Sequence, residues 1–494
     1  MKKALAAAVA GLVCAACVKA AVPSAIAIKD ARIIIVSGPD LPRGTVLLRD
    51  GLIEDVGPDL TIPADAWVIN GAGLTVYPGF IDGLSTWGVS PPRRGAPTAN
   101  TSSTTALPPP PRARGPEDRP EDDAFERAAD LMNPSDSHLQ MARDAGFTTA
   151  AAFPERGIFG GEGAIVDLAG ERGRDMVVAS PIGQYVALRT RNFSAGFPNS
   201  LMGVIAYVRQ TYLDLDWYKR ANAIYAAHVS GHRRPGYDHY LEALRNSPRI
   251  LLPATEAQQI DRMLSFGAEL KQPFIVYGLH EAYRRVDELS RAKTPVLVSL
   301  KWPAPPKDGD PAAVPDYRTL VMRDQAPSIP GLLAKAGVPF GFYDDGLDNV
   351  ADLKKAVKRA IDAGLPQTDA IRALTLNVAE MYGVADRLGS IEKGKIANLV
   401  VTRGDAFADK TRIEYVFVDG QQFKPSEDAP AKSGAGSKQN SMGGSTSGRR
   451  VAGDTAALRT AGAPPVVCPQ CPRLAVRAKS DNGVETSVCA NGAC

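Results

Sequence analysis

Between Ile26 and Val76 apolar and polar residues change places in short bursts. The stretches AIAIKDARIIIVSG, GTVLLRDGLIEDVG and AWVINGAGLTVY are rich in Val, Ile and Leu and are cut by Asp-Gly and Gly-Pro. That is the pattern of short strands joined by tight turns. It returns far downstream, in GKIANLVVTRGD and RIEYVFVDGQQF, residues 394–423. Two strand-rich ends around a long middle predict one small antiparallel β module, a sandwich built from 26–78 and 386–424.

The middle, 79–385, has a longer rhythm. PFIVYGL runs into HEAYRRVDELSRA, PVLVSLKWP follows, and GVPFGFYDD precedes NVADLKKAVKRAIDAG. Strand, helix and strand in this order predict parallel βαβ units. In a barrel of such units the functional groups sit at the carboxyl ends of the strands. Here those ends are Asp82, Pro253, Tyr277 to His280, Lys301 to Trp302, and Asp344 to Asp345. Two stretches break the rhythm. Residues 90–124, with TSSTTALPPPPRARGPEDRPEDD, are Pro-rich, charged and too poor in apolar residues to order themselves. Following the first barrel strand, they read as a lid over the mouth or as an unstructured insertion. KWPAPPKDGDPAAVPDY falls on the same face.

The first residues change the picture of where the protein works. Lys2 and Lys3, the apolar run Ala4 to Val13, and Val18-Lys19-Ala20 predict an export signal, 1–20, cut after Ala20. The run is shorter than the roughly 20 residues a membrane span needs. An uncleaved anchor and a lipoprotein at Cys17 are the alternatives. The mature chain is expected to be periplasmic or secreted, with no transmembrane segment. At the other end, 425–494 reads as a Ser-, Gly- and Lys-rich linker, EDAPAKSGAGSKQNSMGGSTSGRR, and a tail carrying Cys468, Cys471, Cys489 and Cys494. Disulfides suit an oxidising compartment, and a zinc ribbon is the other reading. A tail without a role is the third.

Composition adds little beyond this. The chain has 494 residues, 44% apolar and 22% charged, which is ordinary for a globular protein. Lys plus Arg number 57 against 54 Asp plus Glu, so no nucleic-acid partner is expected.

Several local patterns could carry chemistry. GGEGAIVDLAG, with Glu162 between glycines, reads as a tight turn before a strand and lacks the Lys-Ser/Thr ending of a phosphate loop. Arg189 and Arg191, set among aromatics, could grip the carboxylate of an acidic or peptide-like ligand or form an exposed basic loop. Trp302 could stack on a ligand or fill the barrel rim. No G-x-S-x-G elbow is present around Ser85. Ser299 and Lys301 share one face of a strand, the spacing of a Ser-Lys pair.

YPGFIDG after INGAGLTV, together with ALTLNVAEMYGVADRLGSIEKGKIANLVV (373–401), resembles the amidohydrolase superfamily. The carboxyl-terminal half carries Thr375, Asn377 and Ala379, then Gly389-Ser390-Ile391 and Lys393-Gly394-Lys395, in the order such proteins show. The likeness runs from Ile26 to Phe423 and looks nearest to the imidazolonepropionase-like and dipeptidase-like branch. It implies an α/β fold: a (β/α)8 TIM-like barrel whose mouth holds one or two divalent metals. Hydrolysis of C–N bonds in amides, cyclic amides or dipeptides is the implied activity. In such proteins an Asp-x-His-x-His strand end, two later histidines and a last-strand aspartate bind the metal and its water.

Position by position, the likeness thins at the site. Asp82 matches the leading aspartate, but Leu84 and Thr86 stand at the two histidine positions. Pro253 stands at a third. On the next strand the expected histidine falls near Tyr277, with His280 displaced from it. Asp345 matches the last-strand aspartate, with Asp344 as the alternative register. The chain has only 5 histidines, and His138, His228, His232 and His239 lie outside these strand ends. A catalytic zinc takes about three protein ligands and a water. Asp82, His280 and Asp345 are the set that could reach three, so zinc or another divalent metal is expected only if that set is retained. Each also has a plain role open to it: Asp82 as a loop cap, His280 as a helix-start residue, and Asp344 with Asp345 as a solvated turn.

Two functions therefore stand side by side. One is a C–N hydrolase with a reduced site, Asp345 shuttling the proton. The other is an inactive protein that binds a small-molecule or peptide-like ligand, self-associates, or pairs with an intact homologous amidohydrolase.

Overall fold

In this computed structural model, residues 25–90, 115–190, 196–306, 314–347, 351–408 and 411–425 are described. The expected export signal, most of the Pro-rich insert (91–114), Arg191, the linker and the cysteine tail lie outside them.

The first five strands are β1 (Ala25–Ile33), β2 (Leu41–Arg49), β3 (Leu52–Gly57), β4 (Ala66–Asn70) and β5 (Thr75–Pro78). The barrel strands follow: β6 (Phe80–Ser85), β7 (Phe147–Ala152), β8 (Phe159–Glu162), β9 (Ala164–Asp167), β10 (Val177–Ala179), β11 (Gln184–Val186), β12 (Ile250–Ala254), β13 (Phe274–Gly278), β14 (Val296–Ser299) and β15 (Phe340–Tyr343). The chain closes with β16 (Leu399–Thr402), β17 (Ile413–Val418) and β18 (Gln421–Phe423).

Strands from both ends form one sheet in the order β18-β17-β16-β5-β1-β2-β3, with β4 paired to β1. The joint is the antiparallel pairing of β5 with β16, Pro78 opposite Leu399 and Thr75 opposite Thr402. The sheet is mixed and not purely antiparallel as expected, because β1 runs parallel to both β4 and β5. Alternation cannot reveal this, since strand direction leaves the inward and outward positions unchanged. Ile28, Ile33, Val46, Leu48, Val401 and Phe417 fill its core.

The barrel consists of two parallel arcs. β6 pairs with β7, and β11 to β15 pair in sequence. Between the arcs runs a single segment, 159–167, oriented against them: β8 lies antiparallel to β11 and β9 antiparallel to β7. The glycine-rich stretch expected to be a turn is thus a stave of the wall, and Glu162 is a buried strand residue. β15 lies beside β6, close enough that a Cβ on Gly83 would sit 2.8 Å from the Phe342 carbonyl oxygen.

Side chains alternate across the wall as a period of two requires. Ile275 and Tyr277 point inward with Ile81, Ala151, Leu251 and Leu297. Val276, Val298 and Phe342 point outward into the layer that holds Ile260 and Phe266. Burial on both faces explains why these strands read as apolar runs. The helices that matter below are α1 (Ser137–Asp144), α2 (Leu201–Ala227), α3 (His239–Asn246), α4 (Ala257–Leu270) and α5 (Val286–Ala292). Then come α6 (Tyr317–Gln325), α7 (Ile329–Lys335), α8 (Ala351–Asp362), α9 (Gln367–Ala373) and α10 (Leu376–Tyr382). Side chains of Asp136, Ser200, Asp238 and Asp316 cap four of them by accepting from free backbone N–H groups.

Candidate functional site

Asp82, inside β6, meets Asp344, directly after β15. Asp82 is 1% exposed and Asp344 6%. Oδ1 of Asp82 accepts from the backbone N–H of Leu84 (3.1 Å) and of Asp344 (3.3 Å). Its Oδ2 has no donor within reach. Burial drives the Asp82 carboxyl well above its ordinary range, and the neighbouring Asp344 charge adds to this. Burial likewise pushes Asp344 up to about 7. Two carboxyls in one dry site cannot both ionise cheaply, so burial and mutual repulsion favour the protonated form of the pair.

Above this pair the barrel is filled by rings. Tyr185 (β11) stacks on Tyr277 (β13) at 5.6 Å, and Tyr343 (β15) meets Tyr277 edge-on at 6.1 Å. The Tyr277 hydroxyl donates to the Val186 carbonyl oxygen at 3.0 Å. All three phenols are buried, and desolvation raises each: Tyr185 goes up to about 12, and Tyr277 and Tyr343 go well up. Leu84 is buried in the same apolar cluster, while Thr86 is exposed. Pro253 pairs with Tyr277 in register across β12 and β13. Positions where the likeness leads one to expect imidazoles are thus occupied by a leucine, a proline and a tyrosine shelf.

The rim is polar. Asp345, the expected last-strand aspartate, has φ 53°, a left-handed turn that separates its side chain from that of Asp344. Its Oδ2 accepts from the Ser299 hydroxyl at 2.7 Å. The alternative register, Asp344, is the one set against Asp82. Lys301 Nζ reaches the Asp345 carbonyl at 3.4 Å, not the Ser299 hydroxyl, so no Ser-Lys pair forms. His280 lies in the turn after β13, its Nε2 buried without a partner, and burial lowers its pKa against the pull of Asp345. Glu155, after β7, is raised by burial and eased by the Arg189 charge. Arg189 itself is exposed. Trp302 belongs to the packing: it is buried, and its indole N–H donates to the Ala356 carbonyl of α8 at 3.0 Å.

Glu155, Tyr185 and Tyr343 went unseen in the sequence. The two tyrosines fall at inward positions of their strands, a signal that alternation could have given. Glu155 lies in a loop and gave none. The other histidines sit elsewhere: His138 beside Asp136 at the start of α1, His228 and His232 beyond α2, and His239 against Phe125 and Tyr240.

The residues do not fit a hydrolytic zinc. Among the described residues no group of three or more His, Cys, Asp or Glu side chains is arranged to hold a metal ion. The two carboxyls that do converge, Asp82 and Asp344, have no imidazole grouped with them of the kind zinc takes as ligands.

A barrel carrying a sheet built from both chain ends is a fold the comparisons also find in a solved structure. The chain is similar to an amidohydrolase structure from Thermotoga maritima, with 23% identity, a TM-score of 0.64, and coverage of 81% of this chain and 100% of that one. Residues 305–423 match the model of the amidohydrolase family. A stretch of 79 residues is 37% identical to an adenine deaminase of Moorella thermoacetica, covering 16% of this chain and 13% of that protein. Another of 50 residues is 46% identical to an N-acetylglucosamine-6-phosphate deacetylase of Haemophilus influenzae, covering 10% of this chain and 13% of that protein. The chain thus spans about an eighth of each curated relative. Residues 305–423 thus resemble the amidohydrolase family, and the fold is shared with a solved amidohydrolase.

Proposed function

We propose that the chain is an exported, imidazolonepropionase-like member of the amidohydrolase superfamily with a degenerate metal centre. Its barrel mouth then binds a small-molecule or peptide-like ligand without metal-assisted C–N hydrolysis. The observation that carries this is the Asp82–Asp344 pair: Asp82 Oδ1 is taken by two backbone N–H groups, one of them that of Asp344, and among the described residues no group of three His, Cys, Asp or Glu side chains forms around it. The two lysines and apolar run of the first 20 residues support export.

A second reading, C–N hydrolysis at a reduced site, is favoured by one arrangement. His280 keeps a buried, unpartnered Nε2 beside Asp345, whose carboxylate is held by Ser299. A neutral imidazole and an oriented carboxylate are the usual parts of a proton relay.

Elemental analysis of protein from zinc- and manganese-supplemented culture, with turnover assays on N-acetyl amino sugars, aminopurines and dipeptides, separates the two. Little metal, the same in Asp82→Ala, with no turnover is the expected result. Stoichiometric metal lost in Asp82→Ala, or turnover lost in Asp345→Ala, overturns it in favour of the hydrolase.

A further inference from the structure

Helix α2 is 27 residues long and carries two apolar faces. Val204, Tyr207, Val208, Thr211, Leu215 and Tyr218 pack one face into the core. At 100° per residue, Met202, Leu213, Trp217 and Ile224 fall within about 60° of arc on the opposite side. That second stripe is in water: Met202 is 83% exposed, Leu213 55%, Trp217 60% and Ile224 52%. A helix serving only its own core would be polar there.

The far half of the helix also outruns the core. Between Tyr218 and Leu241 no residue is buried, so the end of α2 and the loop to α3 project from the barrel. This arm adds Val229, 62% exposed, and Tyr237, 78% exposed. From Trp217 to Tyr237 it holds Lys219, Arg220, Arg233 and Arg234, with His228 and His232, and no acidic residue. Large apolar side chains and an excess of cations, bounded by Asp216 and Asp238, thus share one projecting element.

We propose that this arm docks on an anionic lipid bilayer, lying in the headgroup layer. Trp217, Ile224, Val229 and Tyr237 would enter the boundary with the acyl chains while the four cations meet lipid phosphates. Tryptophan and tyrosine favour that boundary, and basic helices with one apolar face lie in it. Among the described residues no helix is long and apolar enough to cross a membrane, so the contact is peripheral. A polyanion such as nucleic acid would match the charge and leave the apolar stripe wet. A second copy would match the stripe, but the arm it would bring holds no acidic residue from Trp217 to Tyr237 to meet these cations.

The test is cosedimentation of the full-length protein with phosphatidylglycerol-containing vesicles and with phosphatidylcholine alone, at low and high salt. Binding to the anionic vesicles, weakened by salt, with a blue shift in tryptophan emission that Trp217→Phe removes, is expected. Each surface charge removed lowers affinity about five-fold. Neutralising Lys219, Arg220, Arg233 and Arg234 to Gln therefore lowers it by about a hundred-fold or more. Comparing wild type and variant in the same full-length background cancels binding by other segments. Trp217→Ala, checked by circular dichroism for intact folding, should weaken binding on its own. No binding at low salt, or binding unchanged in both variants, overturns the proposal. Concentration-dependent dimers abolished by Trp217→Ala, without vesicle binding, overturn it in favour of self-association.

Discussion

The backbone N–H of Asp344 donates to Oδ1 of Asp82 across 3.3 Å, joining residues 262 apart in sequence. This contact ties the last barrel strand to the first and brings two carboxyls into one dry site. Stability should therefore depend on pH through that site. Asp344 is pushed up to about 7 by burial, against about 4 for a free aspartate. A raised folded pKa means that the native state holds the proton more tightly than the unfolded chain. Its contribution is full below about pH 4 and is lost as pH rises toward about 7. Burial pushes Asp122 and Asp167 up to about 7 as well, with the same sign. Melting temperature should fall across that window, and less so in Asp344→Asn, which cannot ionise. A variant profile parallel to wild type would refute this.

Closure of the barrel rests on a glycine. A Cβ at Gly83 would lie 2.6 Å from Leu297 Cδ2 and 2.8 Å from the Phe342 carbonyl oxygen. The backbone cannot yield as a side chain can, so Gly83→Ala should cost about 2 kcal/mol or more. Urea denaturation would measure it, and a variant as stable as wild type would show that the seam is looser than described.

Leu84 holds apolar volume where the superfamily's histidine is expected. Leu84→Ala should cost about 3 kcal/mol by leaving a cavity beside the tyrosine shelf. A loss below about 1 kcal/mol in the same denaturation assay would mean that the site collapses freely.

The barrel and the two-ended sheet are coupled through Asn398. Its Nδ2 donates to Asp167 Oδ1 at 2.6 Å and to Thr149 Oγ1 at 3.0 Å, while its Oδ1 accepts from the Asp419 N–H at 2.7 Å. Asn398→Ala leaves the buried Asp167 carboxyl with the Thr149 hydroxyl as its donor, at 3.1 Å, and should cost about 1–2 kcal/mol. Hydrogen exchange should then quicken in β7 and β9 together with β17, and faster exchange in one domain only would argue against coupling.

Alternation of apolar and polar positions made the strands legible, and the βαβ rhythm made the barrel so, because both patterns record which face of each element is buried. The motif at 373–401 and the approach to Asp82 pointed to the superfamily, and Leu84 and Pro253 carry no side-chain atom that could ligate. Strand direction could not be read, which is why the parallel pairings of β1 and the reversed stave 159–167 appear only in the fold. Nor could the choice between Asp344 and Asp345. Neighbouring residues differ there only in backbone angle, and a left-handed turn at Asp345 sends one carboxyl to Ser299 and leaves the other facing Asp82. Sequence determines which side chains exist and which face each prefers. The carboxyl pair, the tyrosine shelf and the projecting end of α2 depend on distances between residues far apart in the chain, and those are set only when the barrel closes.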